Sequence, residues 1–244
     1  ATSMPPGPPG PEPGLRQVRW TQATRIIASR YPPVPLFERV SLDPAVWEAL
    51  IAAEILVNPR IRNDVGEIHL VPPNERVSGP GASYVMAAFT HLNPRGSRFS
   101  DGTYGVYYAG REFETALRET AWHFARIAAD SADGPRYEDM RVLVGRIETR
   151  MHDVGTLPPP EQALLLDPDS YAASQRFGAR LREQGSNGMV YPSVRHHRGR
   201  CVAALRPRAV GLPVQTKHLQ YHYDGMRVVE YFDYERAVWI SLPE

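Results

Sequence analysis

Cysteine is nearly absent. The chain has one, Cys201, which excludes an internal disulfide framework and suits a reducing cytoplasm. It lies in the apolar run CVAAL, where a small buried hydrophobe is a simpler reading than a nucleophile. Long apolar stretches are missing too. Nothing approaches the ~20 residues of a membrane-spanning helix, and the N-terminus has no signal-peptide core. The expectation is a soluble, cytoplasmic protein. A surplus of one charge is also lacking: 28 basic side chains face 27 acidic ones, for a net charge of +1. That balance argues against attachment to nucleic acid or an anionic membrane by bulk electrostatics.

Several catalytic signatures are missing as well. There is no G-x-x-x-x-G-K-[ST] phosphate loop and no G-x-G-x-x-G after a strand. The nucleophile elbow G-x-S-x-G does not occur. His196 and His197 are adjacent, but nothing nearby completes a metal site at a recognised spacing, so no metal is expected.

At 244 residues with 42% hydrophobic side chains, the chain can build one sizeable core. Residues 1–14 hold six prolines and three glycines and read as a flexible tail. Residues 15–244 read as a single domain. Its organising stretch is PRGSRFSDGTYGVYYAGREFETALRE, at 94–119. A polar loop with two arginines precedes a tyrosine- and valine-rich strand at 103–109. A helix follows, with Phe113, Ala116, Leu117, Ala121, Phe124 and Ala128 at helical spacing.

Around this unit, residues 15–29 read as a short helix and 34–40 as a strand carrying Arg39. Asp43-Pro44 caps a helix running to about 57, residues 65–71 read as a strand, and 82–91 as a helix. Residues 140–148 alternate as a strand, and 169–184 form a helix stopped by Gly185. Strands at 189–191 and 201–205 flank a loop at 192–199. Asp224-Gly225 joins a C-terminal hairpin. The class is α+β: a mixed, mainly antiparallel sheet with flanking helices.

Period alone assigns little chemistry. Glu119 falls on the helix flank beside Glu112 and His123, where a solvated carboxylate is the simpler reading. Tyr104, Tyr107 and Tyr108 read as sheet packing. Ser193 is a loop serine, and the run from Arg195 to Arg200 is either a solvated turn or a phosphate contact.

Taken in order, however, the segments resemble the RES-domain toxins of bacterial toxin–antitoxin modules. LFERV at 36–40 is similar to the family's first strand with its arginine. GSRFSDGTYGVYYAGREFETALRET at 96–120 resembles its glycine–arginine–aromatic loop, tyrosine strand and glutamate helix. GMVYPSVRHHRGRCVAALRP at 188–207 resembles its late serine loop and following strand. The likeness spans about 35–205, with a helical N-terminal extension and a C-terminal hairpin beyond it.

The resemblance implies an ADP-ribosyltransferase-like fold and an enzyme that consumes NAD as its substrate. It implies catalytic roles for Glu119, Arg39 and Ser193. It also implies NAD-binding roles for Arg39, Arg98, Phe99, Tyr108, Ser193 and Arg195. The implied partner is an antitoxin with a helix-turn-helix DNA-binding part, with no direct nucleic-acid contact by this chain. ADP-ribose passes to a protein target, or alternatively to water or phosphate. A non-catalytic module that binds a nucleotide or RNA is the rival from another class. One position departs from the pattern: Phe89 stands where many relatives carry a tyrosine.

Overall fold

The computed structural model describes residues 12–41, 43–55, 61–131 and 134–243; most of the expected N-terminal tail lies outside them. The chain is built around one long strand, β3 (Arg136–Asp153), whose burial alternates as the sequence predicts for a half-buried strand. One edge of β3 pairs antiparallel with β1 (Leu15–Ala28), from Leu15↔His152 to Ala28↔Met140. The other edge takes β6 (Val214–Tyr223) along its first half, also antiparallel. At its far end it takes β4 (Gly188–Pro192) in parallel, through His152↔Met189 and Asp153↔Val190. Strand β5 (Arg200–Ala204) pairs antiparallel with β4, and β2 (Tyr107–Gly110) with β5. Thr24 of β1 then meets Gly110 of β2, so the pairings β1-β2-β5-β4-β3-β1 form a closed circuit. Strands β7 (Val228–Asp233) and β8 (Val238–Ser241) extend the sheet beyond β6.

Six α-helices accompany the sheet among the described residues: α1 (Trp47–Ile55), α2 (Ile61–Val65), α3 (Ala82–Thr90), α4 (Phe113–Asp130), α5 (Pro159–Leu165) and α6 (Ala172–Glu183). The mainly antiparallel α+β class expected from sequence is the class observed. The Asp224-Gly225 turn joins β6 to β7, with Asp224 Oδ1 accepting from the amides of Met226 and Arg227. Asp43 caps its helical turn as expected, its Oδ1 accepting from Ala45 N. The expected end of that helix near residue 57 lies outside the described residues.

Three expectations are corrected. Residues 15–29 form a strand, not a helix. An irregularity between Trp20 and Ala23 sets three steps of β1 against two of β3, and this extra residue breaks the period-two pattern in the sequence. Residues 34–40 are not a strand. Pro35 already has helical dihedrals, and Leu36–Val40 make one π-helical turn. Glu38 in that turn caps α3 from outside, accepting from Gly81 N at 3.0 Å and Ser83 N at 3.2 Å. Residues 65–71 end α2 and make a 3-10 turn at Ile68–Leu70 instead of a strand.

Asp153 ties the start of β1, the end of β3 and the start of β5 together. Its carboxylate accepts from Arg16 at 2.9 Å, Arg200 at 2.7 Å and Gly155 N at 2.9 Å. Burial raises its pKa, but the hydrogen bond from Arg16, the charge of Arg200 and the Gly155 amide outweigh burial, and the net shift is downward. A carboxylate depressed by folding adds stability above its unfolded pKa, and that contribution disappears as pH falls through the folded value. Asp153→Asn is therefore expected to destabilise the chain by about 2–3 kcal/mol at neutral pH. The gap from the parent should close below about pH 4, as denaturant unfolding at a series of pH values would show.

Candidate active site

The register of β2 on β5 positions the site. Gly110, at the end of β2, pairs with Cys201, so α4, which starts three residues later, runs past the loop between β4 and β5. Thr115, Glu119 and Trp122 lie on one flank of α4, at spacings of four and three. Each meets a residue of that loop. Thr115 Oγ1 lies 2.9 Å from His196 Nδ1. Glu119 Oε1 accepts from Ser193 Oγ at 2.6 Å and from Val194 N at 3.1 Å. The Arg195 guanidinium carbon sits 3.6 Å from the Trp122 ring centroid.

The loop is rigidified from within. Ser193 Oγ also accepts from the amides of Arg195 (3.2 Å) and His196 (3.0 Å). Ser193 N donates to Gly199 O at 2.8 Å, and Gly199 N to His196 O at 2.9 Å. A Cβ on Gly199 would come within 2.8 Å of both Thr115 Oγ1 and His196 Nδ1. Glycine there is what lets the loop close on the helix.

Glu119 is asymmetrically held. Oε1 takes the serine hydroxyl, the Val194 amide and, more distantly, Cys201 Sγ at 3.9 Å. Oε2 has no hydrogen-bond donor among the described residues, and no arginine or lysine there forms an ion pair with this carboxylate. Its hydrogen-bond donors are neutral, and Arg195 acts on it only as a nearby charge. Cys201 is buried, and burial first, then Glu119, push its thiol pKa up. It is therefore a packing residue beneath the carboxylate, in keeping with the sequence reading.

The glycine–arginine–aromatic loop forms the second wall. Tyr108 OH lies 2.8 Å from Ser97 Oγ and accepts from Phe99 N at 3.0 Å. Burial pushes its pKa up to about 12, against those two hydrogen bonds. Arg98 is buried, with Nη1 donating to the carbonyls of Leu165 (3.3 Å) and Asp167 (2.9 Å). Phe99 is fully buried against Tyr191 and Phe177, at ring-centroid distances of 5.0 and 6.4 Å. Its ring offers no open face to a ligand. Phe89 is buried in the core. Tyr104 donates to Phe99 O at 2.6 Å, and His91 is held by Thr90 and Asn63.

The structure thus brings Glu119, Ser193 and Arg195 together, with Tyr108, Arg98 and Phe99 ordering the neighbouring loop. Arg39 is not joined to this group. It is exposed on its π-helical turn and makes no hydrogen bond or ion pair among the described residues.

Sequence reasoning missed two groups. Arg25 lies on β1, its guanidinium 4.6 Å from the Tyr107 ring centroid and Nη1 donating to Tyr108 O at 3.0 Å. Burial lowers its pKa, and Nε is buried without a partner. Its signal was an arginine flanked by Thr24 and Ile26 in an apolar run, concealed by the helix assignment. The second is His123, one turn beyond Glu119. It is exposed, and desolvation lowers its pKa while Glu119 opposes the shift and Arg98, Arg195 and Arg126 add to it.

A relative from Sinorhizobium fredii, described as uncharacterized protein y4oC, is 27% identical over 215 residues, covering 87% of each chain. Among solved structures, a chain of the M. tuberculosis MbcT-MbcA toxin-antitoxin complex is 11% identical, with 82% of this chain and 86% of that one covered at a TM-score of 0.40. The family model of the RES domain matches residues 74–224, a span that contains Arg98, Tyr108, Glu119 and Ser193 and more than half of the sequence. The chain belongs to the RES domain family.

Proposed function

We propose that the chain is the toxin of a bacterial toxin–antitoxin module, which cleaves the nicotinamide–ribose bond of NAD and passes ADP-ribose to a protein. The observation that carries this reading is the asymmetry at Glu119. One carboxylate oxygen is pinned by Ser193 and Val194, and the other has no hydrogen-bond donor among the described residues. Cleaving an N-glycosidic bond makes the sugar oxocarbenium-like, and a fixed carboxylate that forms no ion pair stabilises that charge. The bonding electrons leave with the ring nitrogen, so nicotinamide departs neutral and no general acid is required. The acceptor's nucleophile then bonds the anomeric carbon and releases its own proton.

Ser193 has two roles in this reading. Its hydroxyl orients Glu119, and its Oγ gathers the loop amides that hold Arg195 beside the cleft. Tyr108 and Phe99 brace the opposite loop, which sets Arg98 near the site. In this reading the first-strand arginine role, expected at Arg39, passes to Arg25, the one of three arginines on β1 that donates to Tyr108 O. Arg25→Ala should raise the Kd for NAD about tenfold, the scale of one lost charge-assisted contact. Arg39→Ala should leave it within twofold. Calorimetric titration decides between them, and the opposite ranking would restore Arg39.

The partner in this reading is an antitoxin with a DNA-binding helix-turn-helix part, and the compartment is the cytoplasm. No described helix is long and apolar enough to cross a membrane. The acceptor is tested by supplying labelled NAD in phosphate buffer, in phosphate-free buffer, and with cell lysate. Label on a lysate protein supports transfer. Label in ADP-ribose phosphate or free ADP-ribose alone would replace transfer by phosphorolysis or hydrolysis. Intact NAD with salt-dependent RNA binding would favour a binding module instead.

A further inference from the structure

Beside Glu119 three arginines and two aromatic rings alternate. The Arg98 guanidinium carbon lies 4.6 Å from the Tyr171 centroid, and that of Arg126 lies 5.5 Å from the same ring. Arg126 also reaches Trp122 at 5.4 Å, and Arg195 reaches it at 3.6 Å. The order is Arg98–Tyr171–Arg126–Trp122–Arg195. None of the three arginines forms an ion pair with a carboxylate among the described residues. Arg98 donates to main-chain carbonyls, and Arg195 to Pro168 O at 2.9 Å. The Asp167 carboxylate feels the charge of Arg98, but its Oδ1 accepts from the amides of Asp169 and Ser170. Glu119 feels Arg195 without pairing to it.

Three like charges held close by π faces and neutral acceptors repel one another, and the Glu119 carboxylate near Arg195 offsets only part of that repulsion. In a chain whose total charge is only +1, this concentration is local. A group with about two negative charges and several acceptor oxygens would relieve it. Trp122, Arg126 and Arg195 also line an open groove of about 440 Å³, together with Ala121, Ala125 and Leu242.

We infer that this ladder is the diphosphate-binding site of the chain, with Arg126 and Trp122 as its central residues, and that the groove takes the attached nucleoside. The inference deepens the NAD reading and rests on it, because it places the half of the dinucleotide that is not cleaved. The diphosphate contact is assigned to uniform binding, equal in the ground and transition states, so its loss raises KM and leaves kcat in place.

The test is calorimetric titration of the purified full chain with ADP-ribose, inorganic pyrophosphate and adenosine, alongside steady-state NAD kinetics. Arg126 is exposed on α4, so Arg126→Ala is expected to keep the fold, with an unchanged Tm as the check. The parent should bind ADP-ribose and pyrophosphate more tightly than adenosine. Arg126→Ala should lose about tenfold in ADP-ribose affinity and gain about tenfold in KM for NAD, with kcat within twofold. Parent-like ADP-ribose affinity in Arg126→Ala would overturn the site, as would a parent that binds neither ADP-ribose nor pyrophosphate; continued nicotinamide release in those cases would leave the cleavage reading standing. If no NAD is cleaved but ADP-ribose binding is lost in Arg126→Ala, the site stands and the cleavage reading fails.

Discussion

Glu119→Gln is expected to lower nicotinamide release by roughly a hundredfold or more, with the fold and ADP-ribose affinity retained. The substitution separates charge from structure. A glutamine oxygen can still accept from Ser193 Oγ and Val194 N, the contacts that seat the loop on α4. What disappears is the negative charge, which acts where positive charge develops on the sugar. The effect therefore falls on kcat and kcat/KM together and spares binding. Single-turnover kinetics on parent and variant, with thermal unfolding as the control, give the comparison. Turnover within twofold of the parent would remove Glu119 from the chemistry and return it to the solvated carboxylate that helical period alone suggests.

Gly178→Ala is expected to destabilise the chain by about 3 kcal/mol and to abolish activity near the lowered Tm. Gly178 is buried in α6 where the helix crosses the arginine loop. A Cβ there would lie 2.2 Å from Phe99 O and 3.1 Å from Phe99 Cβ. Main-chain atoms on one side and a fully buried ring on the other leave little room to yield. Either α6 moves off the loop or Phe99 shifts, and Phe99 N is the donor that fixes Tyr108 OH. Retained stability in denaturant unfolding would show that this crossing is soft. Full stability with lost activity would separate the loop's geometry from its packing.

These two residues illustrate what could be read from sequence. The strand β3, the helix α4 and the Asp224-Gly225 hairpin follow from local period and turn chemistry, and each is observed. Strand β1 did not follow, because the extra residue between Trp20 and Ala23 disrupts the alternation on which a strand reading depends. The turn at Leu36–Val40 did not follow either. Its dihedrals are set by Pro35 and by the use of Glu38 as a distant cap for α3, a contact across more than forty residues. The site shows the same division. Glu119 and Ser193 were paired only by family resemblance, since their meeting depends on the β2–β5 register that joins Gly110 to Cys201. Arg126 and Trp122 carry no local signal, because their alternation with Tyr171 and Arg195 exists only once α4, the 193–199 loop and the start of α6 are folded together.

The most direct test of the central claim is nicotinamide release from NAD by the purified parent chain freed of any partner. Stoichiometric nicotinamide is expected for each NAD consumed, with turnover that Glu119→Gln does not sustain. Intact NAD after prolonged incubation with folded parent protein, in phosphate, phosphate-free and lysate-supplemented buffer alike, would contradict it.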